Sequence, residues 1–212
     1  GDTAADSHHM LPLLNFSRAR LDSIELYPFK KTFEAGLTSV MTAHLNIPSL
    51  EPDVNLPTSL SKNLVSNLLQ EQLGFRGLII TDGLNMKGAS NYANSAAINL
   101  AAIIAGNDLL LIPQEIPASI ALIKEALNSG SLSQERIDFS VRKILKAKYW
   151  AGLQKYQPII LENLIEDLNR KEDEVLHREL VKNSLTLIKN TRAIFPVRNL
   201  DKQKIAYVKL GD

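Results

Sequence analysis

The 212-residue chain contains no cysteine. This absence excludes a disulfide framework, a thiolate metal site and a cysteine nucleophile. An excess of either charge is also missing, because 24 basic side chains stand against 23 acidic ones. We therefore expect no electrostatic attraction to nucleic acid or to an anionic membrane. No apolar run approaches the roughly 20 residues that span a bilayer, and a hydrophobic fraction of 45% is typical of an ordinary globular protein.

Short apolar runs alternate with segments of helical periodicity through residues 1–150. The runs at 37–43, 77–82 and 108–112 are too short and too continuous for amphipathic helices, and are typical of strands buried on both faces. Helices are predicted between and around them, at 24–36, 59–73, 95–105, 117–127 and 133–150. This order predicts βαβ units with three adjacent parallel strands. It fits either a small open sheet or part of a (β/α)8 barrel, which needs eight strands.

The remaining third of the chain has a different character. Residues 151–172 are polar with little periodicity and are interpreted as a linker. A helix is predicted at 174–183, followed by apolar runs at 185–188 and 205–208 that suggest strands. We therefore expect residues 173–212 to open a second α/β domain, and the chain to be an internal segment of a longer protein.

Asp82 is the most prominent candidate for chemistry. It follows the buried apolar run and precedes Gly83. Active sites of parallel α/β proteins collect at the carboxyl ends of strands, so this position suits a catalytic carboxylate. The alternative is an aspartate that only caps the turn or helix that follows it, which is also a common role for this residue type.

A second candidate lies in the loop Asp6-Ser7-His8. A carboxylate two residues before a histidine can hydrogen-bond the ring, fix its tautomer and raise its affinity for a proton, which gives a general acid/base pair. One alternative is a solvated loop without a function. Another is a metal site built from Asp2, Asp6, His8 and His9, since carboxylates and imidazoles are suitable ligands. No helical His-x-x-x-His spacing supports the metal.

His44 directly follows another predicted strand, so it should lie at the same edge of the sheet as Asp82. It could contact a substrate there, or it could be a histidine whose ring is satisfied by loop backbone. Phosphate and acyl-transfer chemistry have no sequence support, because the chain lacks a Walker loop, a dinucleotide glycine fingerprint and a Gly-x-Ser-x-Gly elbow.

Together these motifs resemble glycoside hydrolase family 3, in particular its β-N-acetylglucosaminidase (β-N-acetylhexosaminidase) branch. That branch carries Gly-Asp-Thr-x-x-Asp-Ser-His in a loop and Thr-Asp-Ala-Leu-x-Met after a strand. The matching segments occur in the family's order, at residues 1–8, 40–44, 57–61, 81–86, 136–145 and 184–190. Gly83 departs from the pattern, since the family usually has alanine there. The family's sugar-binding Lys-His pair is expected upstream of Gly1.

The resemblance implies that residues 1–150 are the C-terminal part of a TIM-like (β/α)8 barrel, followed by the start of a second α/β sandwich domain. It implies a retaining double displacement in which Asp82 is the nucleophile. His8, oriented by Asp6, would be the acid/base.

The resemblance also implies substrate contacts from His44 and Met86. The expected substrate is a bacterial glycan or peptidoglycan-derived muropeptide with terminal β-linked N-acetylglucosamine, and no cofactor or metal is expected. Alternatives are another family 3 β-glycosidase, a phosphorylase that uses His8 and Asp82, or a segment that is inactive in isolation. The resemblance suggests the bacterial cytoplasm or the cell envelope without choosing between them.

Overall fold

A computed structural model of the chain describes residues 2–191, 195–198, 201–202, 204, 206 and 208. The chain divides into two compact units, residues 1–156 and 157–212. The regular elements of the first unit are α1 (Arg18–Arg20), α2 (Tyr27–Glu34), β1 (Ser39–Thr42), β2 (Leu78–Gly83), α3 (Lys87–Ser90), α4 (Ser95–Ala105), β3 (Leu109–Leu111), α5 (Ile116–Ser129) and α6 (Gln134–Trp150). π-helical segments occupy Leu21–Glu25 and Asn63–Gln72, and single 3-10 turns occupy Thr58–Leu60 and Leu153–Lys155.

The three strands form one parallel sheet in the order β1-β2-β3. Val40 is opposite Ile79 in the first pair, and Ile80 is opposite Leu109 in the second. This confirms the predicted adjacent parallel strands. Along the central strand β2, buried residues alternate with half-buried ones, because successive side chains point to opposite faces. The burial of both faces expected from the continuous apolar run is therefore complete on one face only. One hydrophobic cluster contains Val65, Phe75, Ile79 and Ala105, and another contains Leu60, Leu84, Ala89, Ile98 and Ala102.

Local sequence signals set the ends of the main helices. Asn94 caps α4 by accepting a hydrogen bond from the backbone of Ala97 at 2.9 Å. Ser133 caps α6 in the same way through the backbone N–H of Arg136. Each cap satisfies a backbone donor that has no partner inside the helix and stabilises it by about 1 kcal/mol. The starts of the predicted helices at 95 and 133 are therefore confirmed to within a residue.

A buried ionic cluster attaches α6 to the amino-terminal edge of the sheet. Asp108, directly before β3, has a side chain with 0% exposure. Its carboxylate accepts hydrogen bonds from the backbone N–H of Ile79 at 2.9 Å and the hydroxyl of Ser140 at 2.5 Å, and from the ammonium of Lys143. Arg136 donates to the carbonyl of Asn107 at 2.7 Å. Both oxygens of this buried carboxylate thus accept hydrogen bonds from protein donors, as buried charges require.

The second unit contains α7 (Leu164–Leu168) and α8 (Lys171–Ser184). The predicted helix at 174–183 is confirmed, with an earlier start. The predicted strand at 185–188 is wrong, because these residues form no regular element and no strand pairs with them in the described part of this unit. The run at 205–208 lies partly outside the described residues. Within the described ranges, no helix is both long and apolar enough to cross a membrane.

Candidate active site

Asp82 lies at the carboxyl-terminal end of β2, as the sequence predicts. The alternation of the strand turns its side chain away from that of Thr81, which is fully buried. Thr81 uses its hydroxyl oxygen to accept a hydrogen bond from the backbone of Leu111 at 3.0 Å, which fixes the strand end against β3. The half-buried Asp82 carboxylate accepts from the backbone N–H of Gly83 at 2.7 Å. Among the described residues it forms no ion pair, so its negative charge is not neutralised by a cation.

His44 follows β1 at the same edge, and its side chain is completely buried at 0% exposure. Its Nε2 is 3.0 Å from the carbonyl oxygen of Gly83, and its Nδ1 is 2.6 Å from the hydroxyl of Ser59. A carbonyl can only accept, so Nε2 carries the proton and donates it; in the neutral ring Nδ1 then accepts from Ser59. Burial lowers the pKa of His44 below its usual 6.5, although the Gly83 carbonyl and the Asp82 charge act in the opposite direction.

These contacts correct one prediction and confirm another. His44 and Asp82 do lie at one edge of the sheet, because His44 bonds the residue directly after Asp82. The predicted substrate contact of His44 does not match the geometry, since both ring nitrogens already have protein partners and no part of the side chain is exposed. Met86 is 8% exposed and donates its backbone N–H to the carbonyl of Gly83 at 3.0 Å. Its role in substrate binding stays a prediction.

Asp6 and His8 form the predicted pair in an exposed loop. One carboxylate oxygen of Asp6 accepts from the ring Nδ1 of His8 at 2.8 Å and from the backbone N–H of His8 at 2.9 Å. These two bonds from His8, the backbone one first, lower the pKa of Asp6 below its usual 3.8. The pair therefore holds the Nδ1–H tautomer and leaves Nε2 as the ring atom that can exchange a proton.

A single backbone hydrogen bond brings this loop to the same edge. The N–H of Gly88, at the start of α3, donates to the carbonyl of Ser7 at 2.9 Å. Gly88 leaves little room for a side chain, because a Cβ there would lie 3.0 Å from the Cβ of His44, 3.1 Å from the Ser7 oxygen and 3.3 Å from the Met10 oxygen. The loop, the residue after β1 and the start of α3 therefore meet at one point.

The metal-site alternative has little geometric support. Asp2 pairs with Arg20 at 3.2 Å instead of joining Asp6. In the part of the chain that the structure describes, no group of three or more His, Cys, Asp or Glu side chains is arranged to hold a metal ion.

The sequence reasoning missed Ser59 as a partner of His44. The two residues are 15 positions apart, and no periodicity or motif links them. Ser59 is nevertheless completely buried, and a buried hydroxyl requires a hydrogen-bond partner. In the sequence Ser59 is only the first residue of the helix predicted at 59–73, so its position gives no sign of this contact.

A parallel α/β sheet with an aspartate and an Asp–His pair at its carboxyl edge defines a protein of the class whose active sites lie at strand ends. Comparison with known families then identifies the family within this class. The profile described as "Glycosyl hydrolase family 3 N terminal domain" matches residues 1–147. The chain belongs to glycosyl hydrolase family 3. The resemblance inferred from the motifs is thereby confirmed.

Individual relatives agree with this assignment. A β-hexosaminidase A from Pseudoalteromonas piscicida is 26% identical over 100% of this chain and 38% of its own length. A β-N-acetylglucosaminidase/β-glucosidase from Cellulomonas fimi is 24% identical over 91% of this chain and 36% of its own length. The structure of a family 3 β-N-acetylglucosaminidase from Paenibacillus sp. str. FPU-7 matches with a TM-score of 0.77 and 35% identity, covering 89% of this chain and 36% of that one. The chain thus spans less than two fifths of the length of these relatives.

Proposed function

We propose that the full-length protein carrying this chain is a retaining β-N-acetylhexosaminidase that releases terminal β-linked N-acetylglucosamine. The observation that carries the proposal is the Asp6–His8 pair, 2.8 Å between carboxylate and ring, in a loop bonded to the edge that bears Asp82. The names of the Pseudoalteromonas and Paenibacillus relatives support the choice of sugar. The proposed substrate is an N-acetylglucosamine-containing glycan or muropeptide.

Asp82 is the proposed nucleophile of the first step. Its carboxylate attacks the anomeric carbon, the glycosidic C–O bond breaks, and a covalent glycosyl-enzyme forms. An uncompensated carboxylate suits this role, because a cation paired to it would stabilise the negative charge that has to be donated. The backbone N–H of Gly83 orients one carboxylate oxygen at 2.7 Å without supplying a full charge.

His8 is the proposed acid/base. In the first step its Nε2 gives a proton to the departing oxygen. In the second step it takes a proton from the water that attacks the anomeric carbon, the bond from that carbon to Asp82 breaks, and the carboxylate is released. Asp6 holds Nδ1–H and stabilises the imidazolium whenever His8 is protonated. Its lowered pKa keeps it ionised for this task. Every step is carried by protein side chains, and Met86 is proposed to line the sugar site beside Asp82.

We also propose that the three parallel strands are part of a (β/α)8 barrel, with residues 1–150 in the barrel, 151–172 as a linker and 173–212 in a second α/β domain. The strand order β1-β2-β3 with helices between the strands supports this arrangement. A structure of the full-length protein that paired β1 or β3 with an antiparallel neighbour would contradict it.

The decisive experiment measures how the leaving group affects the rate of a His8→Ala variant of the full-length protein. We expect a loss on the order of 10²–10⁴-fold on aryl N-acetyl-β-glucosaminides with poor leaving groups, and much less on activated ones, since only poor leaving groups need a proton. The rate of Asp6→Ala on substrates with poor leaving groups should lie between the rates of wild type and His8→Ala. His9→Ala removes an equally exposed imidazole from the same loop and is the matched control.

An equal loss on activated and unactivated substrates would exclude His8 as the acid/base and remove the main support for this assignment. Two further measurements separate the alternatives. A preference for aryl β-glucosides would identify another family 3 β-glycosidase. Formation of a sugar 1-phosphate in phosphate buffer, instead of the free sugar, would identify a phosphorylase.

A further inference from the structure

The backbone directly after Asp82 is held by side-chain and main-chain hydrogen bonds. The carbonyl of Gly83 accepts from His44 Nε2 at 3.0 Å and from the backbone of Met86 at 3.0 Å. The next peptide N–H, that of Leu84, donates to the carbonyl of Leu111 at 3.0 Å. Gly83 has no Cβ to restrict its dihedral angles, so its conformation depends on these bonds.

From this arrangement we infer that His44 is a positioning residue for the nucleophile: it fixes the peptide after Asp82 and thereby aims the Asp82 carboxylate. The inference rests on the proposed role of Asp82. His44 connects the end of β1 to the end of β2, and its ring is anchored at Nδ1 by Ser59, at 2.6 Å. The Asp82 carboxylate in turn bonds the N–H of Gly83 at 2.7 Å, so movement of Gly83 moves the carboxylate.

The chemistry of the ring fits this task better than any direct part in the reaction. His44 is 0% exposed, so it cannot touch a substrate or exchange protons with one. The Gly83 carbonyl, which can only accept, selects the tautomer that carries the proton on Nε2, and the Ser59 hydroxyl can donate to the unprotonated Nδ1. Because burial lowers its pKa, the ring is neutral and places no positive charge beside the nucleophile.

Two substitutions of His44 in the full-length protein test the inference. The amide nitrogen of His44→Gln reaches about as far as Nε2 and can still donate to the Gly83 carbonyl, whereas the shorter amide of His44→Asn reaches only the Nδ1 position. We expect His44→Asn to lower kcat on an aryl N-acetyl-β-glucosaminide by on the order of 10²-fold, with KM nearly unchanged, because misplacing a reacting group by about 1 Å has such an effect. His44→Gln should recover most of that loss.

Both variants are assayed at the same interval below their own Tm, so that activity refers to folded protein. Equal kcat values for His44→Gln and His44→Asn, or a raised KM with unchanged kcat, would overturn the inference. His177→Asn removes an exposed imidazole from α8 and should keep wild-type kcat. Asp82→Ala separates the two proposals. If it stays active, the proposed function fails as well; if it is inactive while His44→Asn matches wild type, only the role of His44 fails.

Discussion

Two aspartates lie at opposite edges of the same three-stranded sheet in opposite environments. Asp108, at the amino edge, is fully buried, and its carboxylate is bonded by the ammonium of Lys143, the hydroxyl of Ser140 and a backbone N–H. Asp82, at the carboxyl edge, is half-buried and accepts from the N–H of Gly83, with no ion pair among the described residues. The Asp108 carboxylate has hydrogen-bond donors on both of its oxygens, whereas the Asp82 carboxylate keeps lone pairs free for the proposed reaction.

With Asp82 as the proposed nucleophile, this difference assigns stability to one edge of the sheet and chemistry to the other. A saturated buried charge is costly to disturb, and its lone pairs cannot attack a substrate. A carboxylate held by one neutral donor contributes little to folding but can act as a nucleophile. The two edges should therefore respond oppositely to substitution, and three predictions test this.

The largest effect is expected for Asp82→Ala in the full-length protein. Without the nucleophile no glycosyl-enzyme can form, so kcat should fall by at least about 10⁴-fold. The midpoint of thermal unfolding should hardly change, because the change breaks no ion pair and is expected to alter the free energy of unfolding by about 0.5 kcal/mol or less. A large fall in the midpoint with activity retained would reverse the assignment of the two edges.

The amino edge should give the opposite result. Lys143→Met leaves the carboxylate of Asp108 buried without its ammonium partner, which should lower the free energy of unfolding by about 3–5 kcal/mol. Activity per folded molecule should stay within about threefold of wild type. Lys146→Met makes the same change three residues further along α6 at an exposed position, and should shift stability by about 0.5 kcal/mol or less. Equal unfolding free energies for the two variants in denaturant titrations would show that the ionic cluster does not stabilise the fold.

The smallest effect concerns the pH dependence of stability. The folded-state pKa of His44 lies below 6.5, so below that pH the unfolded chain binds more protons at this site than the folded protein does. Stability from the neutral ring is therefore complete above about pH 6.5 and is lost as the pH falls towards the folded-state pKa. His44→Gln cannot titrate, so the difference in unfolding free energy between wild type and His44→Gln should shrink as the pH drops. A difference that stays constant from pH 8 to pH 5 would show that His44 is not kept neutral.

The sheet and the edge that carries the candidate site were predictable because their signals are local. A short, continuous apolar run is typical of a strand in a parallel sheet, so 77–82 could be recognised from its own residues. Glycine and capping residues marked the helix ends in the same way. Asp6 and His8 are two positions apart, so their pairing needed no knowledge of the fold. The strand predicted at 185–188 shows the limit, since an apolar run becomes a strand only where a neighbour is present to pair with it.

The contacts of His44 and Asp108 were not predictable, because their partners are distant in sequence. His44 bonds a carbonyl 39 positions away, and Asp108 bonds Lys143, 35 positions away. The sequence shows only a histidine after one strand and an aspartate before another. Both positions are equally compatible with a substrate contact, a turn cap or a buried pair. Burial and tertiary packing decide among these, and both depend on the whole fold.

Gly88 has a consequence for anyone who wishes to engineer this protein. One of its two α-hydrogens occupies the space where three segments of the chain converge, so a side chain at this position would contact all three. Adding one methyl group would crowd the oxygens of Ser7 and Met10 and the side chain of His44 by a few tenths of an ångström. Gly88 lies in α3, where alanine is a favourable helix former, so the backbone itself offers no resistance to the change. A series of substitutions of increasing size at this position would therefore change the distance between the loop that carries His8 and the strand end that carries Asp82.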